Sequence, residues 1–578
     1  MTFVRDSDAM IRRFGELLFV LSLAFFSAAA WPQATPDAGS LLRETERAQR
    51  QLPKLAPQAA PQTPAPASAD SVRVTVTAFK LTGNTLINEP ELQAVLTPWL
   101  GRDVDFTELQ KALNAVAETY RQRGWFARPQ LPEQDVSRGI ITINILESRL
   151  GEVRIDDGGK TLRVERGMVR ETMTARQQPG DPLNIEYLER SSNILNDTPG
   201  VAVATILAPG KGPGESDAVV KVADKPLIAG TAQLDNTGSR STGEQKLTLS
   251  ATLDNPGGRG DQVGLNANHS AGSDYLKLSY SLPAGSDGLR AGLSASALTY
   301  HLVGDDFKAL NSKGDAQTYG INVSYPLLRS GTRNLSIAAA FDRKDYYNEA
   351  NLVATSEKQI HALLVSFTGD LLDGLGAGGM TLGGFNLTLG DVDLSANPTN
   401  QATDRNGPRS ADSYKKLGYN LARLQRLSDT ATLWASLSGQ IAGKNLDSSE
   451  KFSLGGPSGV RAYPVMEGTG DDGWLATLEG RYMLLPELQL VAFYDHGSIR
   501  RDHDGSYIGA LLPASGTLKG AGLGMSWNRP GQYSLKATLA RRIGDNPFRT
   551  LTAGPSLGKD TDGSYDKTRL WLSAVVFF

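Results

Sequence analysis

The sequence predicts a mainly β fold: an antiparallel transmembrane β-barrel of about sixteen strands over residues 226–578, preceded by a smaller α+β region. Three observations predict the barrel. Apolar and polar residues alternate with period two, short turns alternate with long polar loops, and the last predicted strand ends at Phe578. A soluble β-sandwich would alternate as well, so the two kinds of connection decide in favour of the barrel.

The strands are predicted from segments such as 246–253, 275–282 and 533–539, in which leucine or alanine alternates with lysine, serine or threonine. One apolar and one polar face over about ten residues is typical of a strand between lipid and water. The last segment alternates in the same way, and its apolar face carries Leu570, Leu572, Ala574, Val576 and Phe578.

The connections predict two different rims. Short turns are predicted at 283–287, 329–332 and 528–531. Longer polar loops are predicted near 303–316, 395–410, 444–473, 500–517 and 544–567. Short turns on one rim and long loops on the other are the arrangement of outer-membrane barrels.

Composition limits the classes of function. The chain has 578 residues, more than one globular core normally holds, so two or more units are expected. Its net charge of −3 gives no reason to expect a nucleic-acid partner. The absence of cysteine excludes disulfides, thiolate metal sites and cysteine nucleophiles.

The N-terminal residues predict a secretory signal. Arg5, Arg12 and Arg13 precede a mostly apolar run from Leu17 to Ala30, and cleavage is expected near Ala30; a retained anchor is the alternative. Within residues 31–52, a short helix is predicted over 40–52. Residues 53–71 have the Pro/Ala-rich composition of an extended linker.

Two tandem α+β units are predicted between the linker and the barrel, at 72–148 and 149–225. The first is predicted as strand 74–81, helices 89–99 and 106–123, and strands 125–127 and 139–146. The second is predicted as strand 153–155, helices 162–174 and 185–195, and strands 201–207 and 218–222. Two copies of one pattern are a stronger signal than either copy alone.

Catalytic patterns are almost absent, so the sequence predicts no enzyme, no cofactor and no metal site. The five histidines show no paired ligand spacing, and no Gly-x-Ser-x-Gly elbow occurs. The glycines of 374–379 join two predicted strands, whereas a dinucleotide site would open a helix. The acid pairs Asp471–Asp472 and Asp391–Asp393 could hold calcium but lack a full ligand set, which favours solvated loop acids.

The informative segment lies in the loop after the eleventh predicted strand, where glycines and a proline bracket Arg461. Two strands later, alternation places Phe493 and Asp495 on the inner face of the barrel. Arg461 would find a shielded carboxylate there if the loop folded back into the lumen. An exposed loop arginine is the alternative that spacing leaves open.

These segments resemble the motifs of the outer-membrane transporters of two-partner secretion, the TpsB family. The family's loop motif Val-Arg-Gly-Tyr stands here as Val460, Arg461, Ala462 and Tyr463, and its strand motif Phe-x-Asp-x-Gly as Phe493, Asp495 and Gly497. The resemblance implies that Arg461 pairs with Asp495 and that Glu479 and Arg481 support them on the inner wall. Alanine at 462 departs from the family's glycine and would be strained if its φ were positive.

The resemblance also implies a domain order: an N-terminal plug helix at 31–52, POTRA domains at 72–148 and 149–225, and a sixteen-stranded barrel with a pore-inserted loop at about 444–473. Such a protein lies in the bacterial outer membrane with its POTRA domains in the periplasm. A monomer in the lipid bilayer is expected.

The function implied is export. The POTRA domains would capture an unfolded partner exoprotein of the TpsA type, and the barrel would release it at the cell surface without ATP. The cargo could be an adhesin, a haemolysin or a contact-dependent toxin. A substrate groove is expected in the first POTRA domain at Tyr120, Trp125 and Phe126, although these aromatics could instead form the domain core. A barrel insertase of the same superfamily is the alternative function.

Overall fold

The computed structural model describes residues 36–49, 73–303, 311–507, 510, 513–549 and 558–578. The predicted signal peptide and the linker at 53–71 lie outside these residues. Among the residues described, no helix is both long and apolar enough to span a bilayer.

The first α+β unit packs two helices against a three-stranded sheet. Its strands are β1 (Val74–Thr75), β2 (Ala78–Thr82), β3 (Asp103–Val104), β4 (Ala127–Gln130) and β5 (Ile140–Glu147), and its helices are α2 (Glu89–Leu96) and α3 (Phe106–Gln122). The sheet has the order β2-β5-β4, with β2 and β5 parallel. Asp105 begins α3 by accepting a hydrogen bond from the Glu108 amide, and the buried face of α3 includes Leu113 and Val116.

The second unit repeats this architecture with β6 (Arg149–Asp156), α4 (Arg166–Met173), α5 (Ile185–Asp197), β7 (Val201–Pro209) and β8 (Glu215–Asp224), in the sheet order β6-β8-β7. The helix predicted from residue 162 begins only at Arg166. The preceding residues are held elsewhere, because the Arg163 amide donates to Asp224 and the Glu165 amide donates to the Gly258 carbonyl.

The barrel is closed and has sixteen antiparallel strands, which confirms the predicted fold class. The strands are β9 (Ile228–Asp235), β10 (Lys246–Asp254), β11 (Gln262–Ser270), β12 (Ser273–Pro283), β13 (Arg290–His301), β14 (Ser312–Arg329), β15 (Arg333–Ala350), β16 (Val353–Asp373), β17 (Gly379–Asp393), β18 (Asp412–Arg426), β19 (Ala431–Ala442), β22 (Asp472–Leu485), β23 (Leu488–Arg500), β24 (Ser515–Arg529), β25 (Tyr533–Arg542) and β26 (Thr568–Phe577). The short strands β20 (Phe452–Ser453) and β21 (Thr469–Gly470) form a separate hairpin inside one loop.

The barrel closes between its first and last strands. Five residue pairs join β9 to β26, from Thr231 with Phe577 to Asp235 with Ser573. By comparison, nine residue pairs join the next two strands, β10 and β11. Leucines 570 and 572 are half exposed on the outward face of β26, as the alternation predicted.

The two rims differ as predicted. At the short-turn rim, the second α+β unit contacts the barrel: Asp287 receives hydrogen bonds from Arg176 and Arg190, and Arg329 pairs with Asp197 at 2.6 Å. The opposite, long-loop rim carries the connections 394–411, 443–471, 501–514 and 543–567, the first of which contains helix α6 (Pro398–Asn406). The α+β region therefore lies at one mouth of the barrel.

Helix α1 (Ala38–Gln49) lies inside the barrel, against strands β13, β14 and β15. Its apolar residues Ala38, Leu41 and Leu42 are buried among inward-facing side chains of the wall, including Tyr300 and Ile360. The side chain of Asn348 accepts a hydrogen bond from the Ala38 amide at 2.8 Å. The helix predicted over 40–52 is therefore observed, from two residues earlier, as a plug of the lumen.

Candidate functional site

The loop between β19 and β22, residues 443–471, folds back into the lumen; we call it the lumen loop. Its hairpin β20–β21 carries a compact tip, in which the Val460 amide donates to the Leu454 carbonyl at 2.7 Å and the Tyr463 amide to the Val460 carbonyl at 3.1 Å. Val460, Ala462 and Tyr463 are completely buried. A loop of this length would normally be solvated, so its burial indicates a structural seat inside the barrel.

Arg461 lies at the centre of this seat, against Asp495. Its Nε and Nη2 donate to the two oxygens of Asp495 at 2.8 and 2.7 Å, and its backbone amide donates to the same carboxylate at 3.1 Å. Nη1 donates to Glu479 Oε1 at 2.7 Å, and the guanidinium lies 3.5 Å from the centre of the Phe493 ring. The Arg461 guanidinium therefore contacts two carboxylates and the face of one aromatic ring.

The charge of Arg461 is stabilised although the group is buried. Burial by itself would lower the pKa of Arg461, but the hydrogen bonds and charge of Asp495, and then Glu479, raise it above its usual value. Removing either carboxylate would leave a buried cation short of a partner, which is costly in a medium of low dielectric constant.

A second layer of contacts holds these partners. Arg481 donates to Glu479 Oε2 at 2.8 and 2.7 Å, and the Thr477 hydroxyl donates to Asp495 at 3.0 Å. The indole of Trp571, on the last barrel strand, donates to the Arg461 carbonyl at 2.8 Å. Sequence reasoning missed Trp571, because its inward direction follows from alternation but its partner does not.

Ala462 occupies its position without backbone strain. The described residues with positive φ do not include Ala462, so this site makes no demand for glycine. Its methyl group instead faces Gly520 on β24, where an added Cβ would come within 2.7 Å of it. Glycine at position 520 of the wall therefore leaves room for the methyl group of Ala462.

The plug helix is anchored to both the wall and the lumen loop. Lys358 on β16 is buried and pairs with Asp447 of the loop at 2.8 Å and with Asp37 before the helix at 3.3 Å. The Ser448 hydroxyl also donates to Asp37. Burial alone would raise the pKa of Asp37, but the Lys358 ammonium and the Ser448 hydroxyl lower it to about 2.

Two arginines of the helix extend this anchor to the loop backbone. Arg43 donates to the carbonyls of Ser448 and Lys451 at 2.7 and 2.6 Å, and Arg47 donates to the Ser453 carbonyl at 2.7 Å. None of these contacts was predicted, since the sequence gives no register between a free helix and a distant loop. The helix and the loop therefore form one connected assembly in the lumen.

Glu450 attaches the first part of the lumen loop, before β20, to the barrel wall. It pairs with Lys344 on β15 at 3.0 Å and with Lys416 on β18 at 2.7 Å. Burial would raise the pKa of Glu450, but the charges of these two lysines lower it below its usual range. The two lysines lie on separate strands, and nothing in the sequence identified their shared partner.

The acid pair Asp471–Asp472, considered for calcium, forms ion pairs. Asp471 pairs with Lys451 at 2.8 Å, and Asp472 pairs with Arg500 at 2.7 Å. Within the described ranges, no group of three or more His, Cys, Asp or Glu side chains could hold a metal ion. Gly374, Gly376 and Gly378 lie in the turn between β16 and β17, and Gly379 begins β17.

The predicted groove of the first unit needs correction. Tyr120 is completely buried in the core of that unit, and its hydroxyl donates to Glu147 at 2.8 Å, so it cannot line an exposed groove. Trp125 packs against the same core while partly exposed. Phe126 packs against the core of the second unit and lies 5.4 Å from the Arg128 guanidinium. Helical spacing alone cannot tell a core aromatic from a surface one.

A sixteen-stranded barrel with a plug helix, a loop sealed into the lumen and two α+β units at one mouth defines a protein-secretion pore of the outer membrane. Residues 214–527 match the family described as haemolysin secretion/activation protein ShlB/FhaC/HecB, and residues 74–148 match the POTRA domain of ShlB type. The chain belongs to this family of two-partner secretion transporters. It lies in the outer membrane with its POTRA domains in the periplasm.

Similar proteins agree along most of the chain. The heme/hemopexin transporter protein HuxB of Haemophilus influenzae strain 86-028NP is 26% identical over 98% of this chain and 99% of its own length. The outer membrane transporter CdiB of Dickeya dadantii is 29% identical over 72% of this chain and 74% of its own. The solved structure of CdiB from Escherichia coli has the same fold, with a TM-score of 0.70, 21% identity, and coverage of 94% of this chain and all of that one.

Proposed function

We propose that this pore captures a large partner exoprotein in unfolded form and releases it at the cell surface without ATP. The observation that carries this proposal is the seating of Arg461 between Asp495 and Glu479, with the plug helix bonded to the same loop. A lumen filled by one helix and one loop can open if the helix leaves, because the loop keeps its own seat on the wall.

The domain order proposed is a signal peptide at 1–30, a plug segment at 31–52, a linker at 53–71, POTRA domains at 72–148 and 149–225, and a barrel at 226–578. Capture would use a free sheet edge of a POTRA domain, where backbone hydrogen bonds accept an extended chain of any sequence. The sheet order β2-β5-β4 leaves β2 and β4 as edges in the first unit. Folding of the cargo outside would bias its movement outward.

We propose a monomer as the working unit, because the lumen, the plug and the POTRA units all come from one chain. The class of cargo stays open between an adhesin, a haemolysin and a contact-dependent toxin. A relative from Serratia marcescens is named a hemolysin transporter, and those from Haemophilus influenzae are named heme/hemopexin transporters. These names support export of a protein and do not select its type.

The test is secretion by Arg461→Ala. The partner would be coexpressed and its amount in culture supernatant measured against the amount retained in the periplasm. We expect release to fall at least about tenfold, because a guanidinium that bridges two carboxylates is replaced by a group with no hydrogen bonds. The heat-dependent gel mobility of the barrel should stay that of the wild type.

A matched control is Arg405→Ala, which removes an exposed arginine from α6 in another loop of the same rim. Its secretion should equal that of the wild type. Normal export by Arg461→Ala, with an assembled barrel, would contradict the proposed role of the loop.

The insertase alternative rests on a fold shared with BamA from Haemophilus ducreyi, at a TM-score of 0.50 and 16% identity. Depletion of this protein separates the two functions. Loss of one secreted partner with normal levels of other outer-membrane barrels supports export, and a general fall of those barrels supports insertion.

A further inference from the structure

Two cationic side chains and a histidine gather on the outward face of β23, β24 and β25, near the long-loop rim; we call Lys519, Arg541 and His496 the outer cation patch. His496 stands directly opposite Lys519 in the strand register, and Ala521 stands opposite Arg541. Lys519 and Arg541 are thus diagonal neighbours on one face, roughly 7–8 Å apart. Both are exposed. One anionic group could contact both.

The patch differs from several other cations of this rim in having no acid partner. Three exposed cations on the outward face have carboxylate partners: Arg343 with Asp345 at 3.1 Å, Lys313 with Glu349 at 3.1 Å, and Arg500 with Asp472 at 2.7 Å. Within the described part of the chain, neither Lys519 nor Arg541 has an ion pair. Two neighbouring cations without an anion repel each other, which favours an external anion between them.

The patch lies just above the apolar belt. On the same strands, towards the short-turn rim, Leu523 is 66% exposed and Leu539 is 50% exposed. Aromatic rings flank His496, with Trp474 at 5.0 Å and Tyr494 at 6.2 Å between ring centres. Such rings mark the boundary between hydrocarbon and headgroups in outer-membrane barrels. The cations therefore stand at the level of headgroup phosphates in the outer leaflet.

We propose that the outer cation patch binds a phosphate of lipid A, the anionic anchor of the lipopolysaccharide in the outer leaflet. The charge of the patch complements a phosphate, and the exposed leucines beneath it would receive the acyl chains of the same molecule. A free phosphate ion would satisfy the cations but would leave those leucines without a partner. The bound lipid would hold β23 to β25, the strands that carry Asp495 and pack against the tip of the lumen loop.

The test uses the full chain in a neutral detergent, titrated with bisphosphorylated lipid A and followed by native mass spectrometry. Lys519→Gln combined with Arg541→Gln should weaken binding about 30-fold, since each lysine or arginine near anionic lipid strengthens binding roughly fivefold. The control pair, Lys313→Gln with Arg343→Gln, changes the net charge equally on the same outward face and should bind as the wild type does.

Two further arms need no variant. Lipid A stripped of its phosphates should bind far more weakly than the bisphosphorylated form, and added salt should weaken binding of the latter. Equal binding of the two lipids, wild-type affinity in the patch variant, or an equal loss in the control pair would each overturn the proposal. Phosphatidylglycerol bound as tightly as lipid A would overturn the identity of the occupant.

Discussion

Glu467 and Asp560 accept hydrogen bonds from the same amide group, the side chain of Asn546, at 2.8 and 2.9 Å. Both carboxylates are buried. Glu467 lies near the base of the lumen loop and Asp560 in the connection between β25 and β26, so this contact ties the two loops together. Asp560 also pairs with Arg542, whereas Glu467 has no cation within ion-pair distance among the described residues.

The tie should make stability depend on pH. Burial, followed by the charge of Asp560, raises the pKa of Glu467 to about 7. An acid whose folded-state pKa is raised contributes stability that is complete below its unfolded pKa and is lost as pH rises through the folded value. The thermal unfolding temperature should therefore fall between about pH 4.5 and 7, with Glu467 contributing at most about 3 kcal/mol. Glu467→Gln, which mimics the protonated acid, should flatten this slope; an unchanged slope would refute the assignment.

Asp495 and Glu479 should differ in importance. Asp495 accepts three hydrogen bonds from Arg461, whereas Glu479 accepts one. Asp495→Asn should destabilise the seat by about 3–5 kcal/mol and Glu479→Gln by less, because the first change leaves the guanidinium mostly unpaired. Limited trypsin digestion measures this directly, as cleavage after Arg461 requires the loop to leave its seat. Equal protection of the two variants would count against the arrangement.

The plug should loosen when Asp37 loses its charge. Asp37→Asn removes the ion pair with Lys358, which is one of the few links between the helix and the wall. We expect the open fraction in planar-bilayer recordings to rise about tenfold at neutral pH, since hydrogen bonds to charged groups contribute about 1.5–3 kcal/mol. Glu46→Gln, on the same helix, is the control and should leave the conductance unchanged.

The POTRA region should detach from the barrel when Asp287 is neutralised. Asp287 holds both Arg176 and Arg190, and the hydroxyl of Tyr325 donates to it as well. Asp287→Asn should raise hydrogen exchange over residues 176–198 by at least about fivefold, because the buried Arg190 loses its charged partner. Asp274→Asn, on the outward face, should not. Unaltered exchange in the first variant would mean that apolar packing holds the units together.

The fold could be predicted from the sequence because its signals are local. Alternation over residues 246–253 or 533–539 needs only the pleat of a strand, and the strand count follows from the turns between them. The first residue of helix α4 was harder to predict, because residues within 162–165 are hydrogen bonded to partners on β8 and on a barrel turn. A helical pattern in the sequence does not show that such partners compete with the helix for these residues.

The candidate site divides in the same way. The inward direction of Phe493 and Asp495 follows from alternation, whereas Glu479 and the loop that carries Arg461 were placed by resemblance to a family. Lys358 and Glu450 could not be paired at all, because their partners depend on the path of a long loop. The groove prediction was wrong at Tyr120 for another reason. Whether a side chain is buried depends on the packing of the whole α+β unit, which the spacing of residues along one helix does not show.

The junction of β9 with β26 governs how the barrel can form. Every other strand pair of the barrel joins consecutive barrel strands, but Asn236 and Leu570, which are hydrogen bonded beside this junction, are 334 residues apart. Loop-closure entropy makes such a contact the slowest to form, and its five residue pairs stabilise it only weakly. Biogenesis should therefore pass through an unclosed sheet of sixteen strands, and substitutions at this junction should retard maturation more than they weaken the finished barrel.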